Sequence, residues 1–428
     1  MESARSYFSP SKDIDNPPLF SSSLLRWIWR TYAQRLTSAG RWFFWPSGIF
    51  IGYGFASLQI QGHIPLSYVV ALWLVGLLCM RIFRPRVRVR VDHVDRVCAG
   101  ELLPVDVEVE QLGRLAVDLY VLPHRLPRGV AAEPDEGVPV PALRRGEKTR
   151  VRVSLKCWKR GVYRLKGVRV ESDFPSLLLV AAHYAVEERP LMVYPKFTRL
   201  ARLLLPTGRR YHPGGVALAS NLGESFEFIG DREFREGDNV RDIDWRATAR
   251  LNRPIVREYR DEYFLRVAVI LDTHIPKKAV PAMRESFEHA VSLSAAISDY
   301  MARQEYLVDI FAAGPNLYHL TAGRSLAYLD QILDILACVE ENPREPFEVI
   351  EPEIMENLAR ITTVICVFLD WNEARRAFVH RLAQNGAGVK VVIVREGACT
   401  LSPLADSDVI GQIPVLSNAD VQRGIEEL

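Results

Sequence analysis

The chain has 428 residues, a formal net charge of +2 at pH 7 and 25% charged residues. That is long enough for two or three domains with cores of their own, and so even a charge balance gives no electrostatic case for a nucleic-acid partner. Six cysteines, at 79, 98, 157, 338, 366 and 399, form no CxxC pair and no zinc spacing, which fits free thiols in a reducing compartment.

Residues 1–20, rich in Ser and Pro, read as disordered. Leu24, Leu25, Ile28, Tyr32 and Leu36 then recur at helical spacing among Arg26, Arg30 and Arg35. This segment is either a helix lying on an anionic leaflet or an extension of the span that follows. Trp42 to Met80 is 39 residues without Asp, Glu, Lys or Arg. Gly62-His63-Ile64-Pro65 divides it into Trp42–Gln61 and Leu66–Phe83, each near the ~20 residues that cross a bilayer core. A two-helix transmembrane hairpin is expected. Arg26, Arg30, Arg35 and Arg41 precede it and Arg81, Arg84, Arg86, Arg88 and Arg90 follow it. The positive-inside rule then places both ends, and the soluble parts, on the cytoplasmic side of the membrane.

From Arg86 to about Pro195 the pattern has period two, as in Val87-Val89-Val91, Val105-Val107-Val109 and Val151-Val153-Leu155. Further apolar runs at Ala116–Leu122, Tyr163–Val170, Leu177–Val186 and Leu191–Tyr194 bring the count to about seven strands, an all-β, Ig-like sandwich. Leu205 to Gly223, with its prolines and glycines, reads as a linker.

From Ser225 to Glu262 there are ten acidic residues and eight arginines in 38 positions, threaded with aromatics. Alternating signs among rings point to a folded ion-pair network, because guanidinium forks bind carboxylates bidentately and stack on aromatic faces. The segment Arg232, Phe234, Arg235, Gly237, Asp238, Arg241, Ile243, Asp244, Trp245, Ala247, Thr248, Ala249 and Arg250 resembles the signature of the bacterial "domain of unknown function 58" family. Arg160-Gly161-Val162-Tyr163 and Asp173-Phe174-Pro175 resemble a hairpin of the same family. Of the signature, Arg232, Phe234, Arg235, Gly237, Asp238, Arg241, Asp244, Trp245 and Arg250 are the candidates either for a clamp between two domains or for a partner-binding surface.

Beyond the signature the period changes. Strands Arg266–Leu271, Tyr306–Ala312, Ile361–Leu369, Val389–Val394 and Ile413–Leu416 alternate with helices Val280–Arg303, Leu326–Glu340, Glu373–Asn385 and a terminal helix. Continuous apolar strands alternating with helices predict a doubly wound parallel sheet. The expected organisation is therefore a juxtamembrane N-terminus at 1–40, the hairpin at 41–84, the sandwich at 85–200, linker and signature at 201–262, and the α/β domain at 263–428.

Ligands of open α/β sheets sit beyond the carboxyl ends of the strands, which singles out Asp272 after the first strand. The family resemblance implies a von Willebrand factor A-like domain here. Metal-binding members of that fold end the first strand in Asp-x-Ser-x-Ser, with a Thr and a second Asp from later loops. This chain reads Asp272-Thr273-His274-Ile275-Pro276. Asp370 falls at the second Asp and Thr321 is the candidate hydroxyl, a set that leaves Mg²⁺ under-coordinated. An unoccupied degenerate site, with Asp272 satisfying loop amides and no cofactor bound, is the expectation. A divalent-metal-dependent hydrolase or ligand-binding enzyme using Asp272, His274 and Asp370 is the alternative, His274 opening the way to a softer ion such as Zn²⁺.

Neither phosphate-binding glycine loop, nucleophile elbow nor HExxH helix occurs. A non-catalytic adaptor is expected. The resemblance implies a MoxR-type AAA+ ATPase as partner, in chaperone-like assembly or maturation of envelope proteins.

Overall fold

Two periodicities in the sequence become two compact units, Met1–Lys196 and Phe197–Leu428. The computed structural model describes residues 32, 35–57, 59–113, 118–175, 177–206, 226–235, 238, 240, 243–261, 266–304, 306–313, 317–322 and 326–428. Residues 1–20 and most of the helical-spacing segment lie outside them, as does nearly all of the 205–223 linker.

The first unit begins with helices α1 (Ser38–Ala56) and α2 (Ile60–Ile82). Thr37 caps α1, its hydroxyl accepting from the Gly40 amide at 2.9 Å. The chain reverses at Ser57 to Gln59, not at Gly62-His63-Ile64-Pro65, which lies inside α2. The Ser57 hydroxyl accepts from the Gln59 amide at 3.3 Å and so supplies the turn. Gly62 serves a close approach instead, since a Cβ there would lie 2.3 Å from Ser57 Oγ. The buried positions are Gly40, Ser47 and Gly54 in α1 and Gly62, Val69 and Gly76 in α2. Each set repeats every seven residues and forms a small-residue seam that lets the backbones approach. Trp73 Nε1 donates to Ser47 Oγ across it at 3.2 Å. Among the described residues one helix, Ile60–Ile82, is long and apolar enough to cross a membrane.

The rest of this unit is β structure in three small sheets. With β1 (Val87–His93), β2 (Arg96–Cys98), β3 (Leu102–Gln111), β4 (Leu119–Pro123), β5 (Val130–Glu133), β6 (Val138–Val140), β7 (Lys148–Cys157), β8 (Gly161–Leu165), β9 (Val168–Ser172), β10 (Ala181–Ala185) and β11 (Arg189–Tyr194), the orders are β1-β3-β7-β5, β10-β9-β4-β6 and β2-β11-β8. Alternation along β3 and β7 turns Val105, Val107, Val109, Val151, Val153 and Leu155 into a shared core with Val121, Val170 and Leu191. The single run expected at Tyr163–Val170 is two strands in different sheets. Gly167, at φ +85°, breaks it where a Cβ would sit 2.1 Å from the Ala185 carbonyl.

The second unit starts with a hairpin, β12 (Phe226–Glu233) paired antiparallel with β13 (Ile255–Asp261), and a short helix α3 (Trp245–Leu251) between them. A six-stranded sheet follows, ordered β16-β15-β14-β17-β18-β19. Strands β14 (Arg266–Leu271), β15 (Leu307–Ala313), β17 (Thr363–Phe368), β18 (Gly388–Val394) and β19 (Val415–Leu416) are parallel. The edge strand β16 (Leu317–Ala322) is antiparallel to β15 and was not expected. The helices are α4 (Pro281–Arg303), α5 (Leu326–Cys338), α6 (Phe347–Asn357), α7 (Glu373–Gln384) and α8 (Asn418–Arg423), of which α6 is also unexpected. Ala268 and Ile270 of β14 join one core with Phe347, Ile350, Ile354, Phe378 and Leu382 from α6 and α7. Val267, Val269 and Leu271 point to the opposite face, and α4 packs on β14, β15, β17 and β18.

Candidate functional site

Asp272 follows the last residue of β14, at the carboxyl end of the sheet, and is fully buried. Its amide donates to the Val367 carbonyl at 2.9 Å, extending the ladder with β17 by one bond. Its carboxylate is entirely engaged. Oδ1 accepts from the His274 amide at 3.0 Å and Oδ2 from the Leu369 amide at 3.1 Å. Oδ2 also accepts from Arg375 Nε at 2.8 Å and Nη2 at 2.6 Å.

Arg375 is the residue that sequence reasoning missed. It is 2% exposed, in the first turn of α7 behind the Asn372 cap, whose side chain accepts from the Arg375 amide at 3.0 Å. The buried positions of α7 are Arg375, Phe378, Val379 and Leu382. An arginine on the apolar stripe at i, i+3, i+4, i+7 was the available signal. The guanidinium carbon stands 5.4 Å from the Phe347 ring centroid, and Nη1 is 3.9 Å from Glu345. A buried cation therefore neutralises Asp272 from inside the fold, with an aromatic face completing its surroundings.

Asp370 has the same arrangement with other partners. Its Oδ1 accepts from the amides of Trp371 at 2.8 Å and Thr400 at 2.9 Å, and its Oδ2 from the Thr400 hydroxyl at 2.6 Å. Arg395 Nη1 lies 2.8 Å from Oδ2. Burial pushes this carboxyl up, but the Thr400 bonds, Arg395 and the Trp371 amide outweigh it and hold the group below its ordinary range. Each of the two expected carboxylates thus has its own guanidinium.

The remaining expected ligands do not join them. Thr321 lies within β16 opposite Asp309 of β15, which is level with Ala268. Asp272 follows Leu271, which is level with Ala312, and so stands four residues beyond Ala268; Thr321 is offset from it by roughly 13 Å along the strand direction. His274 has a buried Nδ1 with no hydrogen-bond partner. Among the described residues no group of three or more His, Cys, Asp or Glu converges on a point. A divalent ion needs free anionic oxygens, and those of Asp272 and Asp370 already accept from cations and amides. The residues present do not fit Mg²⁺.

Next to this site Asp406, 3% exposed, gathers a third set of donors. Trp371 Nε1 reaches it at 3.1 Å, Arg376 Nε at 2.9 Å and His380 Nε2 at 3.4 Å. Burial raises the carboxyl, and these hydrogen bonds with the Arg376 charge reverse the sign and hold it low.

The charged signature is built around two aspartates. Arg232 forks onto Asp238 with both bonds at 2.7 Å, and Asp238 Oδ2 also accepts from the Arg235 amide at 2.7 Å. The Arg232 fork and that amide depress the Asp238 carboxyl to about 2. Asp244 caps α3, accepting from the amides of Arg246 at 2.9 Å and Ala247 at 3.0 Å, and its other oxygen accepts from Arg257 Nε at 3.0 Å. Those amide bonds, Ala247 first, and Arg257 lower it as well. Phe234 is 36% and Trp245 66% exposed, and Arg235 and Arg250 are exposed. Gly237 and Arg241 lie outside the described residues. The signature's described acids are spent on its own backbone and arginines, while its rings and several of its cations face outward.

The family model for a protein of unknown function, DUF58, matches residues 230–395. That stretch runs from the middle of β12 to the residue after β18, so it takes in the signature, Asp272, Asp370, Arg375 and Arg395. Asp406 falls outside the DUF58 match. No curated protein matches the chain.

Proposed function

We propose that this chain is a membrane-anchored, non-catalytic adaptor. In this reading α1 and α2 span the bilayer as a hairpin, the three β sheets form an Ig-like sandwich, and the C-terminal sheet is a von Willebrand factor A-like domain. Both soluble parts lie in the cytoplasm. The partner is a MoxR-type AAA+ ATPase, and the process is chaperone-like assembly or maturation of envelope proteins. The observation that carries the reading is the occupation of Asp272: the carboxylate a metal-dependent domain would offer to an ion is bound by Arg375 within the fold. A domain of that kind recognises partners through its surface and needs no ion to do so. The DUF58 match supports the family context. The absence of any phosphate-binding glycine loop supports an energy source in another protein.

The test is affinity purification of the detergent-extracted full chain, followed by mass spectrometry and metal analysis. A co-purifying AAA+ ATPase, retained in the presence of a divalent-ion chelator, is expected. A stoichiometric divalent ion that disappears in Asp272→Ala would overturn the reading in favour of a metal enzyme.

A further inference from the structure

The start of α1 and the end of α2 are both fastened to one loop of the β-rich unit. Leu36 and Leu179, each buried, form a β-bridge. The Val180 amide donates to the Arg35 carbonyl at 2.8 Å, and the Thr37 amide donates to the Leu178 carbonyl at 3.1 Å. Gly40 lies so close that a Cβ would stand 2.1 Å from the Leu178 carbonyl oxygen. At the other helix, Phe83 meets Phe174 edge to face, with centroids 5.1 Å apart. The loop from Phe174 to Val180 thus sits at the base of the helix pair, and Leu177, at φ +54°, is 60% exposed there.

The same base carries a collar of arginines. Ser47 faces Trp73 and Gly54 faces Leu66, so positions whose numbers sum to about 120 are level across the pair. Arg41 and Arg81 therefore stand at one height, with Arg35 and Arg84 just beyond them. Arg35, Arg81 and Arg84 are exposed, and Arg41 Nε is buried with no hydrogen-bond partner. Some other arginines of this unit are matched with acids, as Arg88 is with Glu110, Arg152 with Asp106 and Arg169 with Glu171. No described carboxylate lies within ion-pair distance of the four collar arginines. His183, in the neighbouring strand, adds no acid: burial and the Arg84 charge both push it towards the neutral form. Immediately above the collar Trp42 and Trp45 are 83% and 68% exposed, the position of interfacial aromatics on a spanning segment.

Unpaired guanidiniums beside interfacial tryptophans match one chemistry, the phosphate of a lipid headgroup. We infer that Arg35, Arg41, Arg81 and Arg84 form a binding site for anionic phospholipid headgroups that seats the β-rich unit against the bilayer surface. The inference rests on the membrane-anchored reading above. Each arginine near an anionic surface is worth about fivefold in affinity.

The full chain, purified in detergent, is reconstituted into vesicles of phosphatidylcholine alone or with one third phosphatidylglycerol. Its thermal unfolding midpoint is also followed in micelles doped with either lipid. Phosphatidylglycerol is expected to raise the midpoint at 50 mM salt, with the effect fading at 500 mM, and Arg41→Gln is expected to weaken its apparent affinity about fivefold. The fourfold glutamine variant is expected to lose the preference while keeping the wild-type midpoint in phosphatidylcholine. If that variant does not fold, the salt series on the wild type and Arg41→Gln alone decides. Equal midpoints in both lipids for a chain that does enter vesicles would overturn the headgroup site. Inorganic phosphate acting as strongly as phosphatidylglycerol would show a free-anion site instead and overturn it too. A chain that enters neither kind of vesicle sinks the membrane reading itself.

Discussion

Replacing Arg375 with methionine removes a cation and leaves its anion in place. Asp272 is 0% and Arg375 2% exposed, and the two hydrogen bonds between them measure 2.8 and 2.6 Å. Two unit charges about 4 Å apart attract by roughly 4 kcal/mol at the effective dielectric that reproduces buried pairs. Removing one partner of such a pair costs about 3–5 kcal/mol, because the other charge stays desolvated. Methionine fills most of the arginine stem, so the cavity contribution is small. The amides of His274 and Leu369 still hold the carboxylate, which places the expected loss near the lower figure. Asp272→Asn combined with Arg375→Met removes both charges and should cost about 2 kcal/mol less than Arg375→Met alone. The assay is urea unfolding of the full chain in micelles, with a protease pulse at each concentration. Fragment masses then report the α/β unit separately. A cost below about 1 kcal/mol for Arg375→Met, or a double variant as unstable as the single, would refute the claim that this pair is a buried internal neutralisation.

Gly40→Ala forces a methyl group against the Leu178 backbone and should lower the melting temperature of the micellar protein, at a cost of about 1–3 kcal/mol. Gly48→Ala, with nothing within 4 Å, should be neutral or stabilising by up to about 1 kcal/mol, since alanine is the better helix former. Asp238 tests the signature through pH. Its carboxyl is depressed from 3.8 to about 2, so its contribution is fully present above the ordinary value and disappears as pH falls from about 4 towards 2. Pepsin cleavage beside Phe234 should accelerate through that window in the wild type, and Asp238→Asn should be cleaved readily at pH 4 already. Trp371→Phe deprives the buried Asp406 of one of its donors and should cost about 1–3 kcal/mol in the same urea assay. Arg376 and His380 continue to hold the carboxylate, which keeps the loss within that range.

The α/β unit was legible because its strands are buried on both faces: every residue of β17 is buried, and in β14 all but Arg266 are. Uninterrupted apolar runs of that length between helices leave few alternatives. Strand β16 escaped notice because Leu-Tyr-His-Leu-Thr-Ala is short and mixed, and only its pairing with β15 makes it a strand. The turn between the first two helices was misplaced for a different reason. Gly and Pro at 62 and 65 look like punctuation, whereas the first serves interhelical contact and the second is accommodated inside α2. Asp272 was legible from its place at a strand end, and its engagement with loop amides followed the sequence expectation. The guanidinium was not, because arginine is assigned to solvent by default and becomes a core residue only where a buried carboxylate awaits it.

An internal cation differs from a bound one in its dependence on the surroundings. A metal stabilises in proportion to the logarithm of its free concentration and can be withdrawn. A guanidinium on α7 is present at unit occupancy as long as the fold persists. The same holds for Arg395 on Asp370, so both of these carboxylates are paired with guanidiniums of the chain itself. In the signature Trp245, Arg246 and Arg250 are exposed on the outer side of α3, whose inner side is closed by the buried Ala247 and by Thr248 Oγ1, which accepts from the Ile255 amide at 3.0 Å. Among the described residues of the signature, Asp238 and Asp244 are committed to Arg232, Arg257 and backbone amides. Carboxylates engaged within the segment while an indole and guanidiniums lie outside let a charge-balanced stretch expose arginines beside an aromatic ring, a pairing that guanidinium stacking favours.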